Sequence, residues 1–364
     1  MPVVVVKLGS SVLAENSGEL RFEVIERICD EVAAIHATGV DVVVVTSGAI
    51  ARGMRLLGRP VRPVAIEELQ AASAVGQGRL YRAYDELLSA RGVRPAQVLR
   101  TFFDMSARSH YLNARRTLRK LLDWRIVPVI NENDTTTTDE ISFGDNDFLA
   151  AQVAILVGAD LLVLMTDKDG LFTADPRVDP DARLVEEVTD YEALSALQIG
   201  HATSPLGSGG MRSKVVAAEM STAAGIPCVI GNGFAAGVIE RAWHGGAAGT
   251  RFPARPARVP SFKLWLKYAK PSHGTLVVDT GAERALREGG TSLLPVGVVE
   301  VKGRFDAGDA VDVRSTGGIA VGKGLCNYSA EELRRVMGLK SGAVREVLPR
   351  ATDEAVHRDY FVLA

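Results

Sequence analysis

The chain has 364 residues, 47% of them hydrophobic and 24% charged, with a formal net charge of −2. That length leaves room for two domains with a substantial core, and near neutrality removes any global attraction to nucleic acid or an anionic membrane. Three widely separated cysteines, Cys29, Cys228 and Cys326, form no CxxC pair, which argues against a disulfide framework or zinc site and for reduced, buried thiols in a cytoplasmic protein.

The N-terminal run MPVVVVKLGSSV has no basic leader and reaches Lys7 within a few residues, so it reads as a buried strand, Val3–Lys7, and not as a signal peptide. A helical spacing of Phe22, Ile25, Ile28, Val32 and Ile35 predicts a helix over Phe22–Ala37, closed by Gly39. Val42–Thr46 is a second continuous apolar run. Such runs suit strands of a parallel sheet covered on both faces. A helix over Tyr111–Trp124 and a strand over Ile126–Ile130 follow, and Pro128 argues that this strand lies at an edge or an end. Asn146–Val157 reads as a helix, Leu161–Thr166 as a strand and Pro227–Ile230 as a shorter one. No apolar run is long enough to span a bilayer.

Strands alternating with helices predict an α/β domain with a mainly parallel, right-handed crossover sheet. The texture changes near Arg251, where RFPARPARVP has the character of a linker. Short strands around Val298–Val301, Ala310–Arg314 and Ile319–Lys323 then predict a small β-rich domain. The expected organisation is this α/β domain over 1–252, a linker over 253–272, a small domain over 273–351 and a tail over 352–364.

The segments that carry chemistry follow strands, where open α/β sheets bind ligands. Lys7-Leu8-Gly9-Ser10-Ser11 joins a full positive charge to a glycine that lets backbone amides approach an anion. It is neither a Walker A loop nor a GxGxxG fingerprint, and by spacing alone a solvent-reaching lysine reads equally well. Thr46-Ser47-Gly48-Ala49-Ile50 occupies the same position after its strand. Asn131-Glu132-Asn133-Asp134 and Gly144-Asp145-Asn146-Asp147 can be turn and N-cap chemistry, or can supply acceptors for an ammonium and a carboxylate that orients lysines. Met165 to Pro176 includes Thr166 and Asp167. Gly207-Ser208-Gly209-Gly210-Met211-Arg212-Ser213-Lys214 is a glycine-rich loop with a lysine at the start of a helix.

Taken in order, VVKLGSSVL, VTSGAIARG, VPVINENDT, FGDNDFLAA, LLVLMTDKDGLFTADPR and GSGGMRSK resemble the amino acid kinase family. LNARRTL points with them to the members that phosphorylate the γ-carboxylate of L-glutamate. The resemblance implies an amino acid kinase-like sandwich with a mainly parallel central sheet flanked by helices. It implies that Lys7 and Lys214 contact the transferred phosphoryl group, with Asp147 orienting them, and that Ser47, Asp134 and Asn146 hold glutamate. ATP falls to Lys7, Thr166, Asp167, Ser208, Gly209, Gly210, Met211, Arg212, Ser213 and Lys214, with Ser208 and Arg212 departing from the family pattern. Mg²⁺ is expected through the nucleotide phosphates, without a metal site of the protein's own.

The resemblance further implies feedback inhibition by proline, sought in Thr101–Asn113 at Asp104, Arg108 and Asn113. It also implies a homo-oligomer, dimer or tetramer, and functional coupling to the glutamyl phosphate reductase. Loops 135–143 and 204–210 are the candidates for closing over a water-sensitive acyl phosphate. Residues from about His273 to Ala351 resemble a PUA domain, a module of RNA-modifying enzymes. Lys263, Lys267 and Lys270 beside Trp265 and Tyr268 offer a basic, aromatic strip for RNA, whereas the weak net charge favours their packing as linker residues. The residues alone leave open a different acceptor: acetylglutamate, aspartate, carbamate or UMP. Asp134 disfavours an acetylated amine, because only a free ammonium offsets its charge. None of the six histidines lies in the site motifs, and none is needed, because a carboxylate with a reference pKa of about 4.3 is already ionised at neutral pH.

Overall fold

Val3–Leu8 (β1) and Asp41–Val45 (β2) are runs rich in β-branched residues, and every residue in both is buried, as expected for strands covered on two faces. The structure, a computed structural model, describes residues 1–15, 17–101, 108–136, 146–190, 210–256, 260–264, 266–267, 270, 272–349 and 351–364. They divide into two compact units, Met1–Arg258 and Val259–Ala364.

In the first unit a seven-stranded sheet has the order β3-β4-β2-β1-β5-β6-β7. The remaining strands are Arg94–Arg100 (β3), Ile126–Glu132 (β4), Leu161–Thr166 (β5), Cys228–Asn232 (β6) and Thr250–Phe252 (β7). Neighbours are parallel except β7, which runs antiparallel to β6. β1 lies between β2 and β5, with Lys7 level with Val45 and Leu8 level with Met165. The strand order reverses across β1, so the carboxyl ends of β1, β2 and β5 form the crevice where such sheets take ligands.

The helices are Ser10–Leu13 (α1), Phe22–Ala37 (α2), Ala49–Leu56 (α3), Ile66–Ser89 (α4), Arg108–Asp123 (α5), Asn146–Val157 (α6), Met211–Ala223 (α7) and Val238–Trp243 (α8). Alternation along the strands sends side chains to opposite faces. Val4, Val6 and Leu8 join Val42, Val44, Val163 and Met165 in a core with Ile25, Ile28 and Val32 of α2 and Leu80 and Tyr84 of α4. Lys7 falls on the other face of β1, where α6 packs and α7 packs beside it. Gly39, at φ +94°, lets the chain turn out of α2.

Two differences from expectation have physical reasons. β4 is not an edge strand: it sits between β3 and β2. Pro128 is tolerated because the ladder to β2 starts one residue later, at Val44–Val129, so its missing N–H is not needed there. The long α4 and its partner α3 were not apparent in the apolar spacing. They meet through glycines: a Cβ on Gly53 would collide with the carbonyl of Ala72, and one on Gly76 with that of Ala49.

The second unit holds a five-stranded sheet in the order β12-β11-β10-β8-β9. Its strands are Ser272–Val278 (β8), Val298–Gly303 (β9), Ala310–Ser315 (β10), Ala320–Cys326 (β11) and Val356–Leu363 (β12). Leu276, Val311, Val313, Val321, Leu333 and Phe361 build its core. The Ala330–Val336 helix starts on a capping box between Ser329 and Glu332. The last residues of the chain form β12, paired antiparallel with β11.

Candidate active site

Asp147 lies in the first turn of α6 and is fully buried. An acidic residue there is favoured by the partial positive charge of a helix N-terminus. Lys7 Nζ, from the end of β1, lies 2.5 Å from Asp147 Oδ1, and Lys214 Nζ, from the first turns of α7, lies 3.0 Å from Oδ2. The Ser213 hydroxyl is 2.7 Å from Oδ2 and 2.9 Å from the Gly210 carbonyl. Burial pushes the Asp147 carboxyl up, but the Lys214 and Lys7 ammonium groups, with hydrogen bonds from Lys7 and Ser213, outweigh it and hold its pKa below the ordinary range. All three side chains are buried. Two ammonium groups against one carboxylate leave this triad with a net positive charge out of water, an arrangement suited to an incoming anion.

Beside the triad a small pocket is lined by residues that include Ser10, Ser47, Arg62, Asn131, Asp134 and Asn146, with the turn 48–51 closing one wall. Gly48 opens α3 at φ +99°, a conformation that favours glycine. Asn146 Nδ2 donates to Ser47 Oγ at 3.2 Å and to Asn131 Oδ1 at 3.1 Å. Asn131 Nδ2 in turn donates to Gln77 Oε1 of α4 at 2.6 Å. The Asn146 Oδ1 acceptor is buried with no hydrogen-bond partner among the described residues. Ser73 of α4 donates to Asp134 Oδ2 at 2.5 Å. Burial raises the pKa of Asp134, against the Ser73 hydrogen bond and the Arg62 charge, which lower it.

One strand over, Thr166 ends β5 and is buried. Its hydroxyl is 3.2 Å from Oδ1 of the more exposed Asp167, whose other oxygen is 3.5 Å from Lys168 Nζ. The Gly9 N–H donates to the Met165 carbonyl at 3.2 Å, which holds the turn after β1 against the end of β5. Gly210 precedes α7 as its N-cap, Met211 and Ser213 are partly buried, and Arg212 is exposed.

The fold thus brings Lys7, Asp147, Lys214 and Ser213 together, and places Ser47, Asn146 and Asp134 around one pocket next to them. Ser208 and Gly209 lie outside the described residues, as do Asp104, Trp265, Tyr268 and most of the two candidate closing loops. Ser73, Gln77 and Arg62 were not anticipated. Ser73 and Gln77 are four apart, on one face of α4, and that spacing of polar residues is the one signal that could have found two of them. Among the described residues no group of three or more His, Cys, Asp or Glu side chains could hold a metal ion, and both oxygens of Asp147 face lysines. Cys29, Cys228 and Cys326 are free and buried. No described helix is long and apolar enough to cross a membrane.

The profile of the amino acid kinase family matches residues 2–232, and that of the PUA domain matches residues 274–348. The chain is 47% identical to a glutamate 5-kinase of Chromohalobacter salexigens over 99% of its own length and 95% of the relative's. It is 48% identical to that of Thermus thermophilus, covering 99% and 96%, and 45% identical to that of a Synechococcus species, covering 99% and 98%.

Proposed function

The chain belongs to the amino acid kinase family and, within it, to the glutamate 5-kinases, and from that membership we propose how its residues carry the reaction. ATP and L-glutamate react to give L-glutamyl 5-phosphate and ADP, the first step of proline biosynthesis. One γ-carboxylate oxygen of glutamate forms a bond to the γ-phosphorus of ATP as the bond from that phosphorus to the bridging oxygen of ADP breaks. The observation that carries the reading is the buried Lys7–Asp147–Lys214 triad at the carboxyl end of β1.

The difficulty of this reaction is electrostatic, since an anionic acceptor must approach a polyanionic phosphate. No base is required, because the carboxylate is ionised above a reference pKa of about 4.3. Lys7 and Lys214 place positive charge on the transferred phosphoryl oxygens, where charge gathers in the transition state. Asp147 is the positioning residue that points both ammonium groups inward. Ser47, Asn146 and Asp134 hold glutamate, with Asp134 taking the α-ammonium. Thr166, Asp167 and the segment from Ser208 to Lys214 bind ATP, with Arg212 contributing at its exposed edge.

The donor set around the triad suits Mg²⁺ carried on the nucleotide phosphates better than an ion caged by protein carboxylates, because the Asp147 oxygens face lysines. When bound, the ion neutralises phosphate charge and orients the chain of phosphates.

The same reading assigns this chemistry to residues 1–252, with 253–272 as linker and 273–351 as the PUA-like module. It extends to a cytoplasmic homo-oligomer, dimer or tetramer, inhibited by proline and coupled to the glutamyl phosphate reductase that consumes its product. Trapping the acyl phosphate with hydroxylamine while varying the acceptor tests the activity. A glutamyl hydroxamate should form only with both ATP and glutamate, and turnover of another acceptor in its place would overturn the assignment.

A further inference from the structure

In the connection between α3 and α4 the usual preference of side chains is reversed. Val61 and Val64 stand in water, at 77% and 95% exposure, while the arginine between them turns inward to line the pocket that also holds Asp134. Exposing two valines while half-burying a guanidinium opposes both the hydrophobic effect and the solvation of charge, and Pro60 and Pro63 on either side restrict the backbone that presents it.

On the reading of the pocket as the glutamate site, we propose that Arg62 is a specificity-determining residue that binds the α-carboxylate of the amino acid. A pocket that carries one carboxylate and one guanidinium is complementary to the zwitterionic end of an α-amino acid: Asp134 faces the ammonium and Arg62 the carboxylate. The γ-carboxylate at the other end is then left for the lysine triad. Guanidinium matches a carboxylate with two parallel hydrogen bonds, so the contact fixes orientation as well as charge. The charge of Asp134 acts on Arg62, which puts the two groups near one another without substrate.

Two truncated substrates separate this role from a structural one. 4-Aminobutyrate is glutamate without the α-carboxylate, and glutarate is glutamate without the ammonium. Each is assayed as acceptor, or as a competitive inhibitor against glutamate where turnover is slow, with the full-length wild type, Arg62→Met, Arg62→Lys and Asp134→Asn. Arg62→Met should lower kcat/KM for glutamate by roughly 10²-fold, the scale expected when a site built to hydrogen-bond a polar group loses that partner. It should leave 4-aminobutyrate within about twofold of wild type and the KM for ATP unchanged, and Arg62→Lys should recover part of the loss. Asp134→Asn should show the converse, losing discrimination against glutarate.

Equal losses on glutamate and 4-aminobutyrate would overturn the proposal and reduce Arg62 to a counterion of Asp134. Unchanged discrimination would also overturn it and move the α-carboxylate to the backbone amides at the start of α3. A wild type that does not phosphorylate glutamate at all would instead overturn the assigned activity.

Discussion

Lys7 Nζ lies 2.5 Å from Asp147 Oδ1, and neither side chain is appreciably exposed to water. Lys214 completes a triad with more positive than negative charge, so its members should not respond alike to substitution. Lys7→Ala and Lys214→Ala each remove one cation and leave the other paired with Asp147. We expect kcat to fall by roughly 10²–10³-fold in each, the cost of losing one donor aimed at transition-state charge, with only a modest change in unfolding midpoint. An ADP-release assay beside a urea titration measures both. Near-wild-type turnover in either variant would remove that lysine from the chemistry.

Asp147→Ala should behave in the opposite way. It leaves two buried ammonium groups without their shared carboxylate, and breaking a buried ion pair in this manner costs about 3–5 kcal/mol. The folded-state pKa of Asp147 is held below its ordinary value. Its stabilisation is therefore complete above an unfolded pKa of about 3.9 and is lost only as pH falls through the folded value. The stability gap between wild type and Asp147→Ala should stay level through neutral pH and narrow only in acid. Urea unfolding at several pH values reads it directly.

Asp134 carries the reverse sign. Burial raises its pKa, so the folded state favours its protonated form, and that advantage is lost as pH rises through the folded pKa. At neutral pH the ionised side chain is therefore a burden on the fold. Asp134→Asn should raise the unfolding midpoint at neutral pH, by a margin that shrinks as pH falls. It should also weaken glutamate use, and the fall of kcat/KM in acid should begin at lower pH than in the wild type, because only protonation of the acceptor carboxylate then remains.

Gly76→Ala tests how the α3–α4 contact supports the pocket. The added Cβ would collide with the carbonyl of Ala49 and the backbone nitrogen of Gly53. Overpacking of this kind costs about 1–3 kcal/mol and pushes α3 outward. Because Gly48, Ala49, Ile50 and Ala51 line the pocket, the KM for glutamate should rise while the KM for ATP holds, as initial-rate kinetics with each substrate varied would show.

Much of this protein was determined locally by its sequence. The bounds of α2, α6 and β5 are those read from the sequence: α2 carries a 3.6-residue apolar period, β5 is an unbroken apolar run, and α6 is an apolar stretch buried nearly all round. The candidate-site segments at Lys7, Ser47, Asn131 and Thr166 were visible for the same reason, each lying at the carboxyl end of a strand that the pattern marks. What the pattern could not contain was distance. That Lys7 and Lys214 share one carboxylate follows from β1, α6 and α7 meeting on one face of the sheet. That Ser73 and Gln77 support Asp134 and Asn131 follows from α4 crossing α3 on glycines, a contact in which the absence of side chains, not their hydrophobicity, sets the approach. Arg62 is the clearest case: in the sequence it is one arginine in a proline-rich turn, and only its inward placement between two exposed valines, in the pocket of Asp134, gives it a candidate role. Local periodicity records which residues avoid water; which charges end up facing one another is settled by the packing of elements far apart in the chain.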